Sequence, residues 1–151
     1  IAWVNRSGLL RVGPESAARF WDMGEDDRDF KWNNYISRYH SRHLDLMDVL
    51  AMYQPRSSAP LDEVAKLAGF PGKIGVGGAQ VWSAWQAGKV AEIRNYCEAD
   101  TANTYLLYLR FQELRGVLTA AQYRKECGLL REVLEKRPEP HWREFLSLWK
   151  T

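Results

Sequence analysis

A chain of 151 residues, 46% apolar and 26% charged, has the length and make-up of one globular domain. Its net charge of +2 sets up no strong overall field for nucleic acid, although a local groove can be basic on a near-neutral protein. No apolar run approaches a membrane span, no signal peptide is present, and two cysteines make no disulfide framework, so a cytoplasmic protein with no membrane partner is expected.

Ile1–Val4 has the character of a short strand, and Gly8, Gly13 and Pro14 break the chain after it. The acidic run at 22–29, between Trp21 and Phe30, reads as a solvated loop. Phe30–Tyr39 mixes aromatics with Asn and Ser and reads as extended. His43–Leu50 reads as a short buried strand entering a helix that ends near Tyr53. His40, His43, Asp45 and Asp48 are metal-ligating types without a fixed ligand spacing, and an Asp at a strand end commonly caps the next helix. After a Pro- and Ser-rich loop at 54–60, Leu61, Val64, Ala65, Leu67 and Ala68 predict a short amphipathic helix closed by Gly69 and Pro71.

Pro71–Gly78 is a glycine-rich loop carrying Lys73. It is not a nucleotide P-loop, because Gly-Lys is followed by Ile74 rather than Ser or Thr and the upstream glycine is mis-spaced. Gln80–Ala87 predicts another short helix, with Val81, Ala84 and Trp85 on one side and Gly88 as its stop. The next segment, Ile93–Leu114, carries a helical stripe of Ile93, Cys97, Asp100, Thr104, Leu107, Phe111 and Leu114, in one piece ending near Asp100 and a second running to Leu114. Asp100 stands in the middle of that stripe, where a carboxylate is costly unless a cation, a metal or hydrogen-bond donors meet it. Tyr96, four residues earlier, is its neighbour along the helix.

Beyond Gly116, Thr119 and Gln122 form a capping box for a helix expected to bury Tyr123, Cys127, Leu130 and Leu134. Trp142, Phe145, Leu146 and Trp149 give the last helix a single apolar face. The seven Trp and seven Tyr of the chain suit cores, interfaces and base stacking alike.

The string Tyr96-Cys97-Glu98-x-Asp100, followed by Asn103-Thr104-Tyr105-Leu106-Leu107, resembles the third motif of the DEDD nucleases in its Tyr version. Together with the surrounding letters it resembles the predicted 3′–5′ exonucleases related to the proofreading domain of family B DNA polymerases. His43–Leu50, Leu61–Ala65 and Leu67–Lys73 extend the resemblance, which runs from about Trp21 to about Leu130. It implies an α/β ribonuclease H-like fold, two divalent ions (Mg²⁺ or Mn²⁺) and removal of nucleotides from a 3′ end. By that resemblance Asp100 is a metal ligand, and Tyr96 holds the water that the metal activates. Lys73, Lys89 and Arg94 are the cations expected to meet a single-stranded DNA 3′ end.

The family's first two acidic motifs are not found: the sequence holds no Asp-x-Glu, and no Asn stands at the right distance before Phe-Asp or Tyr-Asp. A lone carboxylate cannot hold two metals. Residues 1–151 are therefore expected to form a single domain, the C-terminal portion of a ribonuclease H-like exonuclease domain. That portion is incomplete at its N-terminus, mostly helical where visible, and inactive or fragmentary as a nuclease. Two origins fit, part of a longer exonuclease or a degenerate relative. The alternative is a non-catalytic nucleic-acid- or protein-binding helical module, with the Trp142, Phe145 and Trp149 face docking a partner.

Overall fold

The fold is a computed structural model that describes residues 4–5, 8–9, 44–54 and 56–150. The acidic run at 22–29, the segment 30–39, and His40 and His43 lie outside the described residues. The chain divides into two compact units, Ile1–Ser57 and Ser58–Thr151.

In the first unit β1 (Val4–Asn5) pairs antiparallel with β2 (Gly8–Leu9), in the register Val4 to Leu9 and Asn5 to Gly8. A strand or extended segment is expected over His43–Leu46: in its described part Asp45 is extended (φ −86°, ψ 105°), but Leu44 and Asp45 belong to no strand and Leu46 already opens α1 (Leu46–Leu50). The reason lies in Asp45. Its carboxylate accepts from the Met47 N–H (3.0 Å) and the Asp48 N–H (3.2 Å), satisfying two of the free donors at a helix start. None of the α1 residues is buried. Past Leu50 the chain turns through Met52 and Tyr53, both left-handed at φ 48° and 58°, and the Tyr53 N–H closes the turn on the Asp48 carbonyl at 2.7 Å.

The second unit is helical throughout: α2 (Leu61–Leu67), a 3₁₀ turn (Gly78–Gln80), α3 (Val81–Gln86), α4 (Val90–Leu114), α5 (Ala120–Glu135) and α6 (Pro140–Leu148). Most described residues are therefore helical. No helix among them is long and apolar enough to cross a membrane.

The organising element is α4. It is one continuous helix of 25 residues, roughly 37 Å long at 1.5 Å per residue. The break expected near Asp100 is absent, because nothing from Val90 to Leu114 is a glycine or proline that would interrupt the ladder. It packs against α2, α3, α5 and α6. Its buried line is Ala99, Ala102, Asn103, Leu106, Leu107, Leu109 and Gln112. The stripe expected through Asp100 is thus displaced: Cys97 and Leu114 are exposed, and of that stripe only Leu107 is buried. Small residues at 99 and 102 let neighbouring backbone approach, which larger side chains would forbid.

The capping box forms as expected. The Thr119 hydroxyl accepts from the Gln122 N–H (3.2 Å), and the Gln122 side chain accepts from the Thr119 N–H (2.9 Å). Tyr123 and Leu134 of α5 are buried, with Cys127 and Leu130 half-buried. The aromatic face of α6 does not await a partner. Trp142, Phe145 and Trp149 are buried, with Phe145 fully enclosed, and Phe70 joins them edge-on to Trp149 with ring centres 6.4 Å apart. Burial of these rings is the larger gain, so the docking surface expected there is the core of the unit. The Lys150 N–H closes it by donating to the Gly69 carbonyl (3.1 Å).

Candidate functional site

The site is built by α4 and the glycine-rich loop that α2 delivers to it. At Gly72 the backbone turns left-handed (φ 74°), and a Cβ there would stand 2.6 Å from Asp62 Oδ1, so only glycine fits. The next residue, Lys73, donates its backbone N–H to Asp62 Oδ1 (2.6 Å), while Asp62 Oδ2 accepts from the Lys66 ammonium (2.8 Å). The Lys73 side chain lies along Gly77, where a Cβ would meet its Nζ at 2.5 Å. That ammonium stands 6.0 Å from the ring centre of Tyr96.

Under this loop Tyr96 and Asp100 stand one helical turn apart on α4, neighbours along the same face. Both are partly buried. Burial pushes the Asp100 carboxyl above its ordinary value and the charge of Asp62 adds to the rise, against the neighbouring Tyr96 hydroxyl and the charge of Lys73. Burial also raises the Tyr96 phenol, and the neighbouring Asp100 carboxylate reinforces that. Asp62 goes the other way, lowered by the Lys66 bond and then by the Lys73 amide.

Asn103 is the residue that sequence reasoning missed. It is fully buried, its Oδ1 accepts from the Gly72 N–H (3.1 Å), and its Nδ2 donates to the carbonyls of Gly72 (2.7 Å) and Ala99 (3.0 Å). The available signal was a polar side chain on the helix that carries Asp100, in a chain with a glycine-rich loop nearby to partner it.

Of the other cations expected to meet nucleic acid, Lys89 pairs with Glu92 (3.1 Å) and Arg94 with Glu98 (2.7 Å). Such surface pairs are weak and salt-screened, so a phosphate can displace the carboxylate. Glu98 turns away from Asp100: its other oxygen meets Nε2 of the buried His141 at 2.9 Å. Burial would raise the Glu98 carboxyl, but the bonds and charges of Arg94 and His141 outweigh that and hold it low.

Two shallow grooves flank the site. One, of about 600 Å³, is lined by Ile74, Val76, Gln80, Tyr96, His141 and Glu144. The other, of about 440 Å³, lies between Gly78, Val81, Trp82, Trp85 and Ile93. Trp85 was expected on the inner side of its helix. It is 58% exposed and Trp82 68% exposed, because only Ala84 of α3 turns fully inward.

Divalent ions need several oxygen ligands. Among the described residues no group of three or more His, Cys, Asp or Glu is arranged to hold one. Asp100 offers a carboxylate, but both oxygens of Asp62 are engaged by Lys66 and the Lys73 amide. The described residues therefore do not by themselves fit a two-metal centre.

The family model for a predicted 3′–5′ exonuclease related to the exonuclease domain of PolB matches residues 11–149. No curated protein and no solved structure matches the chain.

Proposed function

This chain belongs to the predicted 3′–5′ exonucleases related to the exonuclease domain of PolB, and from that membership we propose that it binds the 3′ end of a single nucleic-acid strand at Tyr96, Asp100 and Lys73. In this reading the helices around α4 are the third-motif part of a ribonuclease H-like α/β exonuclease domain. Asp100 is the carboxylate that would ligate Mg²⁺ or Mn²⁺ in an exonuclease of this kind, and Tyr96 is the residue that would hold the water. The described residues supply no further free carboxylate beside them. Recognition, rather than two-metal hydrolysis, is accordingly what we assign to this site.

The observation that carries the reading is the placement of Tyr96 and Asp100, one helical turn apart and partly buried, beneath a loop whose lysine stands over the Tyr96 ring. A phosphate arriving there meets Lys73 first. Lys89 and Arg94, near the start of α4, extend the cationic track once their surface carboxylates are displaced. The aromatic face of α6 is core, which removes the observation that would have favoured protein docking at that face.

The test is fluorescence anisotropy with a 3′-labelled single strand across a salt series. Affinity should fall as salt rises, and Lys73→Ala should weaken binding and reduce the logarithmic salt slope by about one phosphate contact. Binding indifferent to salt and to Lys73→Ala would remove the reading.

A further inference from the structure

The glycine-rich loop bears the cation of the site, yet nothing in its own sequence fixes where it sits. Glycines at 72, 75, 77 and 78 leave it many conformations. Something outside the loop must choose one. The candidate is a group that can satisfy a backbone donor and a backbone acceptor at once, and it must be inaccessible to water so that water cannot replace the loop.

Asn103 has both properties. A carboxamide offers one acceptor and two donors. Oδ1 takes the Gly72 N–H, Nδ2 gives to the Gly72 carbonyl, and the second Nδ2 donor goes to the Ala99 carbonyl of α4 itself. The side chain is fully buried. These bonds therefore hold the loop from inside the unit and span 31 positions of sequence. A leucine here would fill the space and leave both Gly72 groups without partners.

We propose that Asn103 is a positioning residue of the site, clamping Gly72 so that Lys73 is held over the Tyr96–Asp100 pair. The clamp and the pair lie on one rigid ruler: Asp100 is one helical turn before Asn103 on α4, and Tyr96 one turn before that. Lys73 follows Gly72 directly, and its N–H is pinned in turn by Asp62 of α2. The charged and titratable groups that meet here are Asp62 and Lys66 from α2, Lys73 from the loop, and Tyr96 and Asp100 from α4. The role rests on Tyr96 and Asp100 being the functional pair, but it can be measured without any activity.

The measurement is the NMR contact between the Lys73 side-chain protons and the Tyr96 ring in the full chain, read together with amide exchange at Gly72 and Lys73. The parent chain should show that contact and slow exchange at Gly72. In Asn103→Ala the contact should be lost, because the loop no longer presents the lysine, and exchange at Gly72 and Lys73 should accelerate. If Asn103→Ala does not fold, Asn103→Ser and Gly72→Ala provide the released-loop background from either side of the clamp. Two results overturn the proposal: no Lys73–Tyr96 contact in the parent chain, or an equal contact with and without the clamp. Strand binding measured in parallel separates the claims. A parent chain that binds no strand refutes the proposed function, while the ring contact still decides the role of Asn103.

Discussion

At the residue scale the site is a set of opposed carboxyls. The folded chain holds the Asp100 proton more tightly than the unfolded chain, because burial and then Asp62 raise its pKa above the ordinary 3.8. Stability from this group is therefore greatest in acid and declines as pH climbs from 3.8 through the raised folded value. Asp62 has the reverse sign. Its pKa is depressed by Lys66 and the Lys73 amide, so its contribution is present above 3.8 and is lost as pH falls through the depressed value. Urea unfolding across pH should show Asp100→Asn more stable than the parent at neutral pH, with the advantage vanishing below the ordinary Asp range. Asp62→Asn should be less stable at neutral pH and converge with the parent in acid. An Asp100→Asn chain weaker than the parent at neutral pH would mean that the carboxylate is better paired than its burial implies. Asn103→Ala leaves the Gly72 N–H and carbonyl without partners and should cost about 2–4 kcal/mol. A loss near zero in denaturant titration would show that water replaces the amide.

At the element scale, helices declared themselves where local chemistry decides them. Thr119 with Gln122 marked the start of α5, beyond the stop at Gly116. Thr119→Ala should cost about 1 kcal/mol, seen as a lower urea midpoint with an unchanged slope. No change would mean that the box is dispensable. The inner face of α4 was not legible by apolar counting, because Asn103 and Gln112 interrupt it and the stripe through Asp100 is the more regular one in sequence. Only the loop across the helix reveals that Asn103 belongs inside, and that partner lies 31 positions away. Asp45 was legible as a helix cap, and its carboxylate does reach two amide donors. What misled was the apolar stretch beside it, which resembled a strand. Tyr96 and Asp100 were legible as a pair because their spacing is one helical turn. The lysine above them was legible only as a residue of a glycine-rich loop, since nothing local says where such a loop lands.

At the scale of the whole molecule, one long helix collects the others of the second unit, and a ring cluster closes the end where α6 meets Phe70. Trp142, Phe145 and Trp149 serve that cluster, so a sequence face that suggested docking is consumed in folding. Phe145→Ala should cost about 3–5 kcal/mol and lower the thermal midpoint sharply. A mild loss would mean that the cluster closes over the cavity. The same packing places Tyr96 and Asp100 at the loop carrying Lys73, and no group of three or more metal-ligating side chains stands there among the described residues. The most direct measurement is nucleotide release from a 3′-labelled single strand by the purified 151-residue chain with Mg²⁺ or Mn²⁺, with Asp100→Ala alongside. The account predicts a bound strand and no release above background for either chain. Robust release that Asp100→Ala abolishes would contradict it, and would mean that Asp100 acts with carboxylates beyond those the fold places beside it.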